Sequence, residues 1–382
     1  MSDFFDFLEK KPLYYQEIDH NRIRVAYDIL KDKISHPKTI HLIGTNGKGS
    51  TGRALAHFAF SAGLKVGHYS SPHILEFNER IWINGQNVTD STLQNAHKRL
   101  FKILGEEMSR ALSYFEYTTL LAFIIFENVD LIVLEAGLGG EFDATSVAQN
   151  RIFSIITPIG FDHQAFLGES IQEIATTKIK SVKKEALIAP QIYDEVVNVA
   201  QKLSKELNFR LHLAKLESRL EQKVEKILSQ KAYPEFLVSN IKVAIQALDI
   251  LGIDFSFEAL EDLEIFGRFY KIAPNITVDV GHNLLSAKAI VKELPKDTLL
   301  IYNSLQDKDY YEILKSLKPK IKEVEIIPIS NQRASNQSEL KNSLKKLNIP
   351  FKEFTADLKD GENYLVFGSF YTVEAFLRSL RT

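Results

Sequence analysis

A glycine-rich segment near the amino terminus limits most strongly what this chain can fold into. Residues 39–51 read TIHLIGTNGKGST, an apolar run followed by closely spaced glycines and a helical pattern. Glycines let backbone N–H groups approach an anion without Cβ clashes, and the helix N-terminus adds the positive end of its dipole. The segment therefore predicts a phosphate-binding strand, loop and helix. A glycine turn that only links strand to helix is the alternative.

Residue types in this loop indicate a nucleoside triphosphate and magnesium. Lys48 would neutralise the outer phosphates, and the Ser50 hydroxyl would bind Mg²⁺. The spacing differs from the common Walker pattern, which disfavours a P-loop motor or GTPase. The residues predicted to bind nucleotide are Thr45, Asn46, Gly47, Lys48, Gly49, Ser50 and Thr51.

Apolar runs alternate with amphipathic segments along the chain, which is typical of a mostly parallel sheet with crossover helices. Between Ser70 and Val88 the pattern gives way to a predicted loop, long enough to suggest function. The predicted strands are Thr39–Ile43, Leu64–Tyr69, Leu131–Glu135, Ile152–Thr157 and Ala186–Ala189. The predicted helices are Lys48–Ser61, Thr89–Leu104, Glu116–Asn128, Ser170–Val182 and Val238–Leu251.

The length of 382 residues favours two domains. A second α/β pattern begins near Phe266, after the acidic stretch Phe257–Glu264, the predicted linker. Its predicted strands are Ile276–Val280, Thr298–Tyr302, Glu323–Ile327 and Tyr364–Phe367. We predict an α/β fold in which a P-loop-type, mostly parallel ATPase domain (residues 1–264) precedes a smaller Rossmann-like α/β domain (residues 265–382).

Composition and charge exclude several classes of protein. The chain has no cysteine, so disulfides, thiolate zinc sites and thiol catalysis are excluded. A net charge of −2 supplies no general attraction for nucleic acid or anionic lipid. Apolar stretches such as Leu120–Phe126 are much shorter than the roughly 20 residues of a membrane helix. We expect a cytoplasmic protein that binds neither membranes nor nucleic acid.

Two polar residues follow apolar strands at the edge where α/β sheets bind ligands. Glu135 ends the run LIVLE and offers Mg²⁺ a hard oxygen ligand, although a carboxylate at a strand end is often only solvated. His163 follows a second apolar strand. A lone histidine is more often a structural residue than a ligand, and imidazole is an unusual ligand for Mg²⁺.

Several further motifs recur in the order found in one family. Gly44–Ser50 (GTNGKGS) resembles the ATP loop of folylpolyglutamate synthases and dihydrofolate synthases, a branch of the Mur ligase superfamily. The other matching segments are Tyr69–Ile81, Phe115–Glu116, Leu134–Gly140, Asp143–Thr145, Asp162–His163, Asp279–Asn283 and Val366–Phe370. Together they span nearly the whole chain and are more specific than the loop alone.

The resemblance implies ATP-dependent addition of L-glutamate to dihydropteroate or a reduced folate through an acyl phosphate. It implies two Mg²⁺ ions at Ser50, Glu135, His163 and a carbamylated Lys178, with Lys48, Glu135, His163 and Lys178 as the catalytic residues. The family usually has an acidic residue before this lysine and Ala-Gly after it, where this chain has Thr177, Ile179 and Lys180. A solvated lysine is the alternative for Lys178.

The resemblance also implies the remaining binding residues. Folate would contact Ser71, Pro72, His73, Phe115, Asp143 and Ala144. Asn240 would lie at the adenine, and Arg268, Asp279 and His282 would reach the nucleotide from the second domain, with His282 and Ser369 near glutamate. Glu141 and Ser146 stand where the family commonly has Arg and Asn.

Three questions stay open at this point. A cell-wall Mur ligase would share the ATP loop and the metal ligands, although the run from Tyr69 to His73 favours folate. A non-catalytic nucleotide-binding relative is the other alternative. The chain could carry one or both of the two synthase activities, and we expect both in a protein that acts as a monomer.

Overall fold

The computed structural model describes residues 3–12, 19, 21–215, 218–231 and 233–381. The chain divides into two compact units. The first contains Met1–Val224 and Asn240–Leu263, and the second contains Glu225–Ser239 and Glu264–Thr382. The domain limits predicted from the sequence, 1–264 and 265–382, stay a prediction.

An eight-stranded sheet forms the centre of the first unit, in the order β4-β3-β2-β5-β1-β6-β7-β8. Its strands are β1 (Lys38–Ile43), β2 (Val66–Tyr69), β3 (Ile81–Ile83), β4 (Gln86–Asn87), β5 (Leu131–Glu135), β6 (Arg151–Ile156), β7 (Glu185–Ile188) and β8 (Arg210–Leu213). The strands from β2 to β8 in this order are parallel, whereas β3 and β4 are antiparallel. Because β1 lies between β5 and β6, the carboxyl ends of these three strands meet at one edge.

Helices cover both faces of this sheet, and their apolar sides form its core. The helices up to residue 263 are α1 (Phe4–Glu9), α2 (Arg22–Leu30), α3 (Lys48–Ser61), α4 (Asp90–Ala111), α5 (Tyr114–Ile125), α6 (Gln164–Leu167), α7 (Ile171–Ile179), α8 (Asp194–Glu206), α9 (Ser218–Gln230), α10 (Glu235–Ile250) and α11 (Glu258–Glu261). One core cluster contains α4 residues spaced as one helical face, such as Leu93, Leu100 and Leu104. A second cluster contains residues of α7 and α8.

The second unit has a six-stranded sheet in the order β13-β12-β11-β14-β10-β9. Its strands are β9 (Tyr270–Ala273), β10 (Ile276–Asp279), β11 (Thr298–Tyr302), β12 (Ile321–Ile326), β13 (Phe351–Glu353) and β14 (Tyr364–Phe367). Its helices are α12 (Leu284–Ile290), α13 (Tyr310–Leu317), α14 (Gln337–Lys346) and α15 (Phe370–Ser379). Among the named strands of this sheet, β9 pairs antiparallel with β10, and the other neighbouring strands pair in parallel. The α/β fold class predicted from the sequence is confirmed.

One local prediction is wrong, and the predicted linker, inside which the two units divide, is more ordered than a linker need be. The predicted loop between Ser70 and Val88 contains a 3₁₀ turn, Phe77–Arg80, and the strands β3 and β4, which are too short to show alternation. The predicted linker forms α11, in which Leu260 is fully buried, and His57 Nε2 lies 3.0 Å from the Ala259 carbonyl oxygen. The acidic residues of this segment face solvent. They hid the buried side of a short helix from the sequence pattern.

Some of the segments that the sequence pattern missed are short edge strands, and another is a helix with few buried residues. β8, β9 and β13 are short strands at or near sheet edges, where burial is incomplete. α8 lies in the charged region after Ile192 and buries only Val196, Ala200 and Leu203. Within the described residues, none of the helices has the length and apolar character needed to cross a bilayer.

Candidate functional site

The glycine loop joins β1 to α3 in a conformation that depends on glycine. Gly44 and Gly47 have φ values of +146° and +86°. A Cβ on Gly44 would lie 2.0 Å from Thr157 Oγ1, and one on Gly47 would lie 2.8 Å from Asn240 Oδ1. The Thr45 amide fixes the loop by donating to the Pro158 carbonyl at 2.9 Å. Larger side chains would therefore displace the loop from its neighbours.

Lys48 and Ser50 lie at the first turn of α3. Lys48 Nζ folds back over the loop and donates to the carbonyl oxygens of Gly44 at 3.1 Å and Thr45 at 3.2 Å. Ser50 is 1% exposed, and its Oγ donates to the Gly47 carbonyl at 3.1 Å. Asn240 Nδ2 donates to the same hydroxyl at 2.8 Å. The structure thus brings Asn240 to the loop itself, which sequence spacing did not reveal.

Lys178 is buried against the same loop. A capping box formed by Ser170 and Glu173 begins α7, and Lys178 lies in the last turn of this helix. Its Nζ donates to the Gly44 carbonyl at 3.0 Å. Burial, together with the charge of Lys48, lowers the pKa of Lys178 to about 7, against the opposing effect of Asp162 and Asp143. The alternative of a solvated lysine is therefore wrong.

Glu135 occupies the predicted sheet edge. It ends β5, its register partner on β1 is Leu42, and it is 5% exposed. The Ser71 amide donates to Glu135 Oε2 at 3.4 Å, a long hydrogen bond. Arg80 Nε lies 2.8 Å from His73 Nδ1 and donates to it. The segment from Ser71 to His73 therefore lies next to the Glu135 carboxylate, which is predicted to bind metal. Pro72, between Ser71 and His73, is exposed.

His163 follows β6 at the same edge. It has a φ of +52° and precedes α6, and its side chain is 33% exposed. Its Nε2 lies 3.8 Å from Asp162 Oδ1, which also accepts from the His163 amide at 3.0 Å. Asp162 was not among the predicted site residues, although its place beside His163 in the segment after β6 was a signal that could have drawn attention to it.

The donor atoms at this edge suit magnesium better than a softer metal. In the described part of the chain, no three His, Asp or Glu side chains form a metal-binding group. A cation would instead depend on the Ser50 hydroxyl and the Glu135 carboxylate, hard oxygens of the kind that Mg²⁺ prefers. An uncharged Lys178 amine could become a carbamate and supply a further oxygen.

Phe115 and Asp143 border the predicted folate side. The Phe115 ring is partly buried, 5.8 Å from the ring of Tyr69, and a Cβ on Gly137 would lie 2.7 Å from its Cζ. Asp143 is buried and accepts from the Leu138 amide at 2.8 Å and the Thr145 amide at 2.9 Å. Burial raises the pKa of Asp143. Asp143 thus shapes the loop around buried Ala144, and contacts with substrate stay a prediction.

The second unit gathers its predicted residues at the end of β10. Asp279 is buried and accepts from the amides of Phe269 at 2.8 Å and Gly281 at 2.7 Å. Burial raises the pKa of Asp279, while Arg268 and His282 lower it. Arg268 lies over the ring of Phe370, 5.1 Å from its centroid. Ser369, the other residue expected near glutamate, is buried and caps α15 through the Thr372 amide.

Comparison with known proteins identifies the family. No family model matches the chain, so the family is shown by individual relatives. The dihydrofolate synthase/folylpolyglutamate synthase of Escherichia coli is 30% identical over 364 residues, covering 88% of this chain and 85% of the relative. The crystal structure of Helicobacter pylori folylpolyglutamate synthetase superposes with a TM-score of 0.79 and 39% identity, covering 99% of this chain and 97% of the other. A bifunctional enzyme from Yersinia pestis, complexed with AMPPNP and Mn ion, superposes with a TM-score of 0.82 and 25% identity, covering 99% and 97% of the two chains.

The phosphate loop, the two-unit fold and these likenesses define an ATP-dependent ligase that joins an acid to an amino acid. The chain belongs to the dihydrofolate synthase/folylpolyglutamate synthase family.

Proposed function

We propose that this protein uses ATP to add L-glutamate both to dihydropteroate and to the glutamate tail of reduced folates. The observation that carries this proposal is the convergence of Lys48, Ser50 and the buried Lys178 on one glycine loop beside Glu135. Such a site binds a triphosphate and can activate an otherwise unreactive carboxylate.

The chemistry proceeds in two transfers. A carboxylate oxygen of the acceptor attacks the γ-phosphorus of ATP, the bond to the bridging oxygen breaks, and ADP leaves. The amine of glutamate then attacks the acyl carbon, loses a proton, and displaces inorganic phosphate as the amide forms. Lys48 offsets the repulsion between the two anionic reactants and stabilises charge on the leaving ADP. Bound Mg²⁺ would add positive charge at the same oxygens.

Individual residues are assigned to roles as part of this proposal. Ser50, Glu135 and His163, with Lys178 as a carbamate, would hold two Mg²⁺ ions. Thr45–Thr51, Asn240, Arg268, Asp279 and His282 would bind ATP. Folate would contact Ser71, Pro72, His73, Phe115, Asp143 and Ala144.

Replacing Lys48 by alanine tests the role of the loop. We expect Lys48→Ala to lower turnover by about 10² or more, because the developing phosphate charge loses its cation. Phosphate release with ATP, glutamate and acceptor measures the effect. Lys65→Ala, which removes an exposed lysine before β2, is the matched control and should retain activity. Equal activity of the two variants would refute the proposed loop function.

A comparison of acceptors tests the substrate class. We expect glutamate incorporation with dihydropteroate and with tetrahydrofolate. Activity with only one acceptor would limit the protein to a single synthase activity. Incorporation into neither acceptor, with no phosphate release, would point to a non-catalytic relative or to a different acceptor such as a nucleotide-linked cell-wall precursor.

The proposal includes a cytoplasmic protein that acts as a monomer on small molecules. The cysteine-free composition is compatible with a reducing compartment. Cell fractionation and the mass measured by light scattering would test the two statements.

A further inference from the structure

A cleft of about 420 Å³ lies in the first unit, away from the glycine loop. It is formed by α2, by the connection from β5 to β6, and by the segment after α7. Its charged residues are Arg24, Asp28, Glu141, Arg151, Lys180 and Lys183. The volume falls within the range of roughly 300–1,000 Å³ that is usual for small-molecule sites.

Arg151 is the most unusual residue in this cleft. It begins β6 and is only 5% exposed, so its guanidinium is almost completely withdrawn from solvent. It donates through Nε to the Ala148 carbonyl at 3.1 Å and through Nη1 to the Ser181 carbonyl at 2.8 Å. Among the described residues no carboxylate forms an ion pair with it. Buried arginines normally have an anionic partner, because desolvating an unpaired charge is costly.

Burial also lowers the pKa of Arg151 to about 10, a sign that its charge is poorly compensated. A guanidinium carries five N–H donors, and the two carbonyls use two of them. Donors therefore remain for a ligand in the cleft that the residue lines.

The other charges around the cleft give it a positive excess. Four cationic side chains face two carboxylates, in a chain whose net charge is −2. The nearest pair between these groups is weak, since Lys180 Nζ lies 4.0 Å from Glu141 Oε2 and both side chains are substantially exposed. Glu141 and Asp28 therefore do not neutralise the cations.

The cleft is separate from the proposed reaction centre. Arg151 pairs with Thr39 at the amino end of β1, whereas the glycine loop follows the carboxyl end. Arg151 and Ile156 are five positions apart along β6, a distance of about 16 Å. An occupant of the cleft would touch the connection that carries Glu141 and Ser146, next to Asp143.

Because Arg151 is buried without a carboxylate partner among the described residues and cations are in excess around it, we propose that this cleft is a second anion-binding site, distinct from the ATP loop. Its ligand is an anion that carries carboxylate or phosphate groups. The planar guanidinium binds such groups through paired hydrogen bonds, and the lysines add charge at the rim. A γ-linked oligoglutamate and inorganic phosphate share this chemistry.

Binding is tested on the full-length protein with the ATP loop saturated by a non-hydrolysable ATP analogue and Mg²⁺. Calorimetric titrations with tri-γ-glutamate and with inorganic phosphate form two separate arms. We expect saturable binding in at least one arm, and Lys183→Ala should weaken it by about tenfold. Lys184→Ala is the matched control, because this adjacent exposed lysine does not line the cleft.

Arg24→Ala gives a second test at an exposed lining residue of α2 and should weaken the same arm. Neither exposed substitution should disturb folding, which thermal unfolding can verify. Absence of saturable binding in both arms would overturn the proposal. Equal affinity of Lys183→Ala and Lys184→Ala would overturn it too, since the anion would then bind elsewhere. Because no turnover is measured, either result leaves the ligase activity a separate question.

Discussion

At the scale of single residues, Lys178 shows how burial changes chemistry. A lysine in solution has a pKa near 10.4 and is almost entirely protonated at neutral pH. Burial beside Lys48 lowers the pKa of Lys178 to about 7, so a large fraction of the amine is uncharged and nucleophilic. An uncharged amine can react with CO₂, which supports the proposed carbamate although the residues flanking Lys178 differ from the usual family pattern.

We expect Lys178→Ala to reduce turnover by about 10², with partial rescue by small carboxylates that replace the carbamate oxygens. Because the amine loses its proton as pH rises through about 7, carbamate formation should increase from pH 6 to pH 8 at constant CO₂. A ¹³C NMR spectrum of protein equilibrated with labelled CO₂ measures the amount of carbamate.

The control for Lys178 is Lys184→Ala, which removes a nearby exposed lysine and should leave both turnover and the labelled signal unchanged. Full activity in Lys178→Ala would contradict the carbamate assignment and leave the ligase function intact.

At the scale of an element, the connection between β1 and α3 depends on the absence of side chains. A Cβ on Gly44 would lie 2.0 Å from Thr157 Oγ1 and 2.8 Å from the Thr157 carbonyl oxygen. The backbone oxygen cannot rotate away as a side chain could. The loop would therefore have to move away from the segment that follows β6.

We expect Gly44→Ala to lower the free energy of unfolding by more than about 2 kcal/mol and to abolish nucleotide binding. Gly63→Ala is the matched control, since Gly63 also has a positive φ, +89°, but has no atoms within 4 Å of its added Cβ. It should cost about 1 kcal/mol through backbone strain alone. Chemical denaturation measures the free energy of unfolding of each variant, and nucleotide titration measures its binding. Similar losses in the two variants would show that backbone strain, not the contact with Thr157, governs the loop.

At the scale of the whole molecule, buried histidines make stability depend on pH. His41 and His68 lie inside the first unit and are at most 1% exposed. Burial lowers the pKa of His41 to about 3 and that of His68 well below its ordinary value of 6.5. The unfolded chain binds protons at these histidines below about pH 6.5, whereas the folded chain does not.

The free energy of unfolding should therefore be unaffected by these groups above pH 6.5 and fall as the pH decreases below it. The expected slope is about 1.4 kcal/mol per pH unit for each histidine. Urea denaturation at pH 7.5 and pH 5.5 measures the loss.

His68→Leu should lose less stability over this range. Both ring nitrogens of His68 are buried without a hydrogen-bond partner in the described structure, so an apolar side chain sacrifices no hydrogen bond. An unchanged loss in this variant would show that His68 does not contribute to the acid sensitivity.

Local sequence determined much of the fold and the chemical character of the site. The predicted strand Leu131–Glu135 and helix Lys48–Ser61 have the bounds found in the structure. A buried parallel strand reads as an apolar run, and a phosphate loop is a contiguous arrangement of glycines before a helix. Short strands at or near a sheet edge, such as β3 and β13, escaped prediction because their residues are only partly buried or too few to form a pattern.

Contacts between distant parts of the chain were decided only by the tertiary structure. Asn240 donates to Ser50 across 190 residues, and Lys178 donates to Gly44 across 134. The burial of Arg151 without a carboxylate partner among the described residues and the depressed pKa of Lys178 likewise arise from packing of several elements at once. Such burial depends on how helices and sheet pack, and packing is a property of the assembled fold that no local spacing of residues encodes.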